Sequence, residues 1–137
     1  MGKIKIIELD HIVLNVGDID RSLTFYTEVL GLKGERVDEF RAGKVSFPSV
    51  RINQATIIDL FPRKDGAAKL TVEKANGNLN HFCLVVGAED FSGIVDYLGA
   101  NHVKVHQGPV SRWGAQGRAT SVYFSDPDDN EVEIRCY

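Results

Sequence analysis

"LDHIVLNV" at residues 9–16 and "LNHFCLVV" at residues 79–86 decide how the rest of the chain is read. Each is a run of strand formers with a histidine in its third position, His11 in one and His81 in the other. Superposing the histidines shifts the chain by 81 − 11 = 70 positions, about half of its 137 residues. At that offset Leu9 matches Leu79, Asp10 matches Asn80, Leu14 matches Leu84, Val16 matches Val86 and Gly17 matches Gly87. An internal repeat of this length predicts an architecture built twice.

The segments beyond the two strands agree. In "DIDRSLTFYTEVLGL" the residues Ile19, Leu23, Tyr26 and Leu30 recur at helical spacing, with Asp18 as N-cap and Gly31 as stop. In "EDFSGIVDYLGANHV" the face is Phe91, Ile94, Val95 and Leu98, although Gly93 costs that helix about 1 kcal/mol relative to Ala. Short strand-like runs come next: "KVSFPSVRI" and "QATIIDLF" in the first half, "VKVHQGP", "RATSVYFS" and "EVEIRCY" in the second. The clusters "PRKDGAA", "ANGN" and "DPDDN" punctuate them. Each half therefore reads β-α-β-β-β, and the chain is an α+β protein of two tandem modules. Module 1 spans about 5–62, a linker about 62–78, and module 2 about 79–137.

Composition narrows the function classes. A hydrophobic fraction of 43% with 26% charged residues is that of an ordinary globular protein. The formal charge of −3, without a basic cluster, argues against nucleic acid. No apolar run approaches the roughly 20 residues needed to span a bilayer, and "MGKIKIIELD" lacks the pattern of a secretory signal. Cys83 and Cys136 suit free thiols, and a cytoplasmic protein is expected.

Side chains alternate faces along a strand, so parity sorts them. Ile12, Leu14 and Val16 form one set with Phe82, Leu84 and Val86 as their counterparts, and Ile58, Leu60, Val132, Ile134 and Cys136 join them on the helix side. The opposite face then carries His11, Asp59, His81 and Glu133, one per strand. Two imidazoles with one or two carboxylates are a donor set for zinc, iron(II), manganese, nickel or cobalt. A strand histidine is more often exposed or held by a carbonyl than bound to metal, so parity leaves both readings open.

"LDHIVLNVGDIDRSLTFYTEVLGL" together with "YFSDPDDNEVEIRCY" resembles the two ends of the vicinal-oxygen-chelate superfamily, which holds glyoxalases, bleomycin-resistance proteins and dioxygenases. The second stretch resembles its closing signature, a Phe, then Asp-Pro-Asp-x-Asn, then a Glu three residues on. "GPVSRWGAQGRATSVYFSDPDDN" looks most like glyoxalase-domain proteins related to lactoylglutathione lyase. The resemblance implies paired βαβββ sheets forming a cup around one divalent metal (Zn, Ni, Co, Mn or Fe), with His11, His81 and Glu133 as ligands. Asp59 stands where glyoxalase I has a ligand Glu; one methylene shorter, it suits a water-mediated contact or a base.

The resemblance also implies a small-molecule substrate chelating the metal through adjacent oxygens, and a homodimer. The favoured activity is a metal-dependent lyase or isomerase in which Glu133 or Asp59 moves the proton. An iron(II) extradiol-type dioxygenase and a non-catalytic antibiotic-binding protein are the alternatives. "HQGPVSRWGAQGR" is expected to be a mobile loop walling the substrate, with Arg112, Trp113, Gln116 and Arg118 as contacts and Tyr123 on the strand beyond. Arg51 reaches inward on this reading, Cys83 lines the cup as a packed thiol, and His102 and His106 are surface or loop residues.

Overall fold

In the computed structural model, which describes residues 7–63 and 79–137, alternation along "HIVLNV" makes strand β1 (His11–Val16), its Leu14 and Val16 buried and its His11, Val13 and Asn15 outward. The chain divides into two units, residues 1–68 and 69–137. Nearly all of the expected linker at about 62–78 lies outside the described residues.

In the first unit β1 leads into α1 (Ile19–Thr24), where the Asp18 carboxylate accepts the Arg21 N–H at 3.0 Å and caps the helix. Beyond Thr24 the hydrogen bonding widens into one π turn over Phe25–Val29, a departure from the uniform helix expected. The turn buries adjacent residues Phe25 and Tyr26, their rings edge to face at 5.0 Å. Gly31, at φ +73°, ends the segment in a conformation that β-carbons disfavour.

Strand β2 (Lys33–Glu35), helix α2 (Val37–Arg41), β3 (Ser49–Arg51) and β4 (Ile57–Pro62) complete the unit in the order β1-β4-β3-β2. β1 runs parallel to β4, as a helical crossover requires; β3 is antiparallel to both its neighbours. The helix-side parity set is the core: Leu14, Val16, Val50, Ile58 and Leu60 pack with Leu23 and Tyr26. Burying each of the aliphatic side chains contributes about 1.5–3 kcal/mol. The run "KVSFPSVRI" narrows to β3, because Pro48 has no N–H for a ladder. β2 carries no apolar alternation and was not legible in the sequence.

The second unit repeats the plan with β5 (Phe82–Val85), α3 (Ala88–Phe91), α4 (Ile94–Ala100), β6 (Gln107–Gly114), β7 (Gly117–Ser125) and β8 (Glu131–Cys136), in the order β5-β8-β7-β6. β5 is parallel to β8, and β7 antiparallel to β8 and β6. The expected single helix breaks in two at Ser92–Gly93, where glycine leaves helical geometry, and Val95 is exposed instead of joining the apolar face. In "SDPDDN" the Asp126 carboxylate accepts the Asp128 and Asn130 N–H groups, each at 2.9 Å, and turns the chain into β8.

The largest correction concerns "HQGPVSRWGAQGR". It is a β-hairpin and not an irregular loop: Arg112 pairs with Ala119, Trp113 with Arg118 and Gly114 with Gly117 across a two-residue turn. Polar residues at the open end of the sheet hid strands whose backbone ladder is regular.

Candidate metal centre

His11 opens β1, and Asp59 sits on the neighbouring β4 opposite Val13, two residues along. Parity puts both on one face, with His11 Nε2 4.0 Å from Asp59 Oδ2. The other ring nitrogen, Nδ1, meets the Asp10 carboxylate at 2.6 Å. That hydrogen bond is the main reason the His11 pKa is raised; partial desolvation opposes it and the Asp59 charge adds to it. Asp59 is 7% exposed. Ser49, its direct partner on β3, donates its hydroxyl to Asp59 Oδ1 at 2.6 Å and leaves Oδ2 toward the histidine.

The second unit builds the same pair more tightly. His81 precedes β5, and Glu133 lies on β8 opposite Cys83. His81 Nε2 is 3.1 Å from Glu133 Oε2. Its Nδ1 is 2.6 Å from the Asn80 amide oxygen. An amide oxygen accepts only, so Nδ1 carries a proton in this arrangement. Glu133, 4% exposed, receives the Ser121 hydroxyl on Oε1 at 2.5 Å, and the Arg135 guanidinium lies 3.7 Å from the same oxygen.

Tyr123 faces Glu133 across the ladder and sets its ring edge-on to His81 at 5.7 Å. Burial raises the Tyr123 pKa, the Glu133 charge raises it further, and Arg112 opposes both. Cys83 has solvent access, yet the protein around its sulfur and then the Glu133 charge push its thiol up to about 11.

The residues fit a divalent cation by the chemistry of their donors. Each histidine has one nitrogen engaged by the side chain before it, an anchor that sets the ring and directs Nε2 at a carboxylate. A carboxylate oxygen and an imidazole lone pair at 3.1 Å need a proton or a cation with them. Among the described residues no group of three or more His, Cys, Asp or Glu is drawn together. The structure thus presents the donors as two pairs, one in each unit.

Other expected site residues divide by register. Arg112 and Tyr123 share the face of Glu133, whereas Trp113 and Arg118 pair with each other on the reverse face, Trp113 77% exposed. Gln116 occupies the hairpin turn and donates its backbone N–H to the Tyr137 hydroxyl at 2.9 Å. Arg51 pairs with Glu35 through two hydrogen bonds, and this contact holds the Glu35 carboxyl below its usual range. His106 lies 3.3 Å from Glu131, and His102 sits in a left-handed turn. Ser49 went unnoticed in the sequence, and Ser121 and Arg135 were given no role there. Arg135 shares parity with Glu133 and Ser121 with Tyr123, a signal that alternation did carry.

Among the described residues no helix is long and apolar enough to cross a membrane. Residues 8–134 match the profile of the Glyoxalase/Bleomycin resistance protein/Dioxygenase superfamily. The chain is 32% identical over 129 residues to virulence protein STM3117 of Salmonella typhimurium, covering 94% of this chain and 83% of that protein. It is 28% identical to a probable lactoylglutathione lyase of Vibrio parahaemolyticus, covering 90% and 86% of the two chains. The crystal structure of a glyoxalase/dioxygenase from Nostoc punctiforme superposes with a TM-score of 0.76 at 29% identity, over 94% of this chain and 90% of that one. With a duplicated mixed sheet of matching strand order and a profile spanning nearly its whole length, the chain belongs to the glyoxalase/bleomycin resistance protein/dioxygenase superfamily.

Proposed function

We propose that the chain is a divalent-metal-dependent lyase or isomerase of the glyoxalase type, acting on a small substrate through two adjacent oxygens. One observation carries the reading: each unit aims a histidine Nε2 at a buried carboxylate oxygen while a neighbouring side chain holds Nδ1. His11, His81 and Glu133 would hold the metal. When bound, it would supply Lewis acidity that stabilises negative charge developing on a substrate oxygen.

The chain's own groups have defined parts in this scheme. Asp59, its Oδ1 fixed by Ser49, keeps Oδ2 available to take and return a substrate proton. Its 4.0 Å gap from His11 suits a carboxylate that is not committed to the metal. Glu133, as a holding group, would share in proton movement only by loosening its grip. Arg112 and Tyr123 face the substrate from the Glu133 side. Trp113 and Arg118 leave the hairpin on the reverse face and Gln116 sits in its turn, so they would be the outer contacts of this reading. A homodimer and a cytoplasmic location belong to the same reading, the latter in keeping with two free thiols.

A second reading, an iron(II) dioxygenase, is favoured by the same gap at Asp59. A His-His-Glu set without a fourth protein ligand leaves positions for an aromatic diol and oxygen. A binding protein without chemistry is the third reading, and four placed donors weigh against it.

Elemental analysis of protein purified without added metal or chelator tests the proposal, with His11→Ala and Glu133→Ala alongside. Near-stoichiometric nickel, cobalt, zinc or manganese, lost in both variants, is expected. Iron with oxygen uptake on catechols would favour the second reading. No metal, and none taken up on reconstitution, would overturn both.

A further inference from the structure

Arg135 is the most deeply buried cation among the described residues, 4% exposed, and the reaction scheme does not use it. Its guanidinium reaches along β8 to the end of the sheet. Nη1 donates to Trp113 O at 3.0 Å, and Nη2 to Arg112 O at 2.8 Å and Gly117 O at 3.3 Å. These carbonyls flank the turn of the β6–β7 hairpin. The same Nη1 lies 3.7 Å from Glu133 Oε1. One planar fork therefore joins the backbone of the hairpin to the carboxylate.

Two neighbours are shaped around it. Gly114 has no side chain where a Cβ would overlap the guanidinium and approach the Tyr137 hydroxyl to 2.8 Å. The Tyr137 ring lies 4.9 Å from the guanidinium carbon, and its hydroxyl accepts the Gln116 N–H. Stability alone is a weak reason for this arrangement. Burying a cation costs several kcal/mol that an aliphatic side chain would avoid, and Nε of Arg135 is buried without a hydrogen-bond partner.

We infer that Arg135 is a positioning residue that ties the aim of the Glu133 carboxylate to the tip of the β6–β7 hairpin. Ser121 and Arg135 both bear on Oε1, so Oε2 is the oxygen left to face His81. A shift of the hairpin tip turns the fork, and the fork turns the carboxylate; a pull on the carboxylate travels back the same way. The inference rests on the reading of Glu133 as a metal-holding residue. Lysine cannot replace Arg135 here, since one ammonium cannot span three carbonyls and a carboxylate in a single plane.

The test uses the full chain and three variants. Trp113 is the sole tryptophan and reports on the hairpin by its emission, and hydrogen exchange of a 112–118 peptide reports on the backbone. In metal-free protein, Glu133→Gln should speed exchange of that peptide severalfold and shift Trp113 emission. Unchanged exchange and emission would overturn the coupling. Calorimetric titration with Mn(II), Ni(II) or Zn(II) should show Arg135→Lys and Gly114→Ala each weaker by about 10-fold or more, the range for loss of an outer support to a metal ligand, with far-UV circular dichroism unchanged. Faster hairpin exchange with wild-type metal affinity would reduce Arg135 to a brace and overturn its role at Glu133. If the wild type takes up no metal, the proposed function fails, while the Glu133→Gln result still decides the coupling. Should Arg135→Lys not fold, Gly114→Ala moves the fork from the other side.

Discussion

The two half-sites share a skeleton and differ in how it is supported. In each unit a histidine at the start of the first strand faces a carboxylate on the parallel strand beside it, and the residue before the histidine holds Nδ1. The first pair is open at 4.0 Å, the second closed to 3.1 Å. A shorter side chain accounts for the direction of this difference, as Asp lacks one methylene of Glu. The hydroxyls differ in origin: Ser49 lies directly across from Asp59, whereas Tyr123 takes that rung opposite Glu133 and Ser121 reaches it diagonally. The arginines differ most. Arg51 is occupied by Glu35, while Arg135 bears on Glu133 itself. The shared rungs are those that bring donors together, and the divergent ones surround them. On the proposed reading Glu133, of the closed pair, holds the metal with the two histidines, and Asp59, of the open pair, moves the proton.

The sharpest way to break this division is to remove one carboxylate at a time. Glu133→Ala should weaken metal binding by at least about 100-fold, beyond the range for loss of an outer support, and Asp59→Ala by about 10-fold or less, with turnover lost in both. Equal loss of metal in the two variants, measured by calorimetry, would make the half-sites equivalent and end the division of labour.

A smaller effect should separate the hydroxyls. Removing one partner of a buried carboxylate costs about 1–3 kcal/mol. Ser49→Ala removes the hydroxyl that donates to Asp59 Oδ1, whereas in Ser121→Ala the Arg135 charge remains beside Glu133 Oε1. Urea unfolding should therefore find Ser49→Ala the more destabilising. The reverse order would show that Arg135 does not support the carboxylate.

The smallest effect is on acid stability. Arg51 lowers the Glu35 pKa in the folded state, so the ion pair's contribution is complete above the unfolded carboxyl's pKa and is lost as pH falls through the lower, folded value. The pair is substantially solvent-exposed, so the change is modest. Hydrogen exchange monitored from pH 6 downward should show amides of β2 and β3 losing protection in that acid window, and Glu35→Gln should remove this pH dependence. A window unchanged in that variant would place the acid sensitivity elsewhere.

Much of this was legible from period and parity. The offset between His11 and His81 announced two like modules, alternation sorted Leu14, Val16, Ile58, Leu60, Val132 and Ile134 to the core side, and the same alternation grouped His11 with Asp59 and His81 with Glu133. Asp18 and Gly31 marked the first helix because capping is local chemistry. The breaks at Thr24 and Gly93 were harder to place, since hydrophobic spacing tolerates a widened turn or a kink. β2 was hidden because three residues with two charges have no alternation to show. The β6–β7 hairpin looked like a loop because glycine and polar side chains at a sheet's rim resemble those of a turn.

By itself the sequence determined the duplication, the α+β plan and, within each unit, a histidine and a carboxylate on the same face of the sheet, for these depend on which side of a strand a side chain leaves. It could not determine which oxygen of each carboxylate is free, that Ser49 and Ser121 hold the other one, or that Arg135 spans from Glu133 to the hairpin. Those depend on strand register and side-chain reach across neighbouring strands distant in sequence. Only the tertiary structure, by setting Tyr123 opposite Glu133 and Gly114 beside Arg135, decided them.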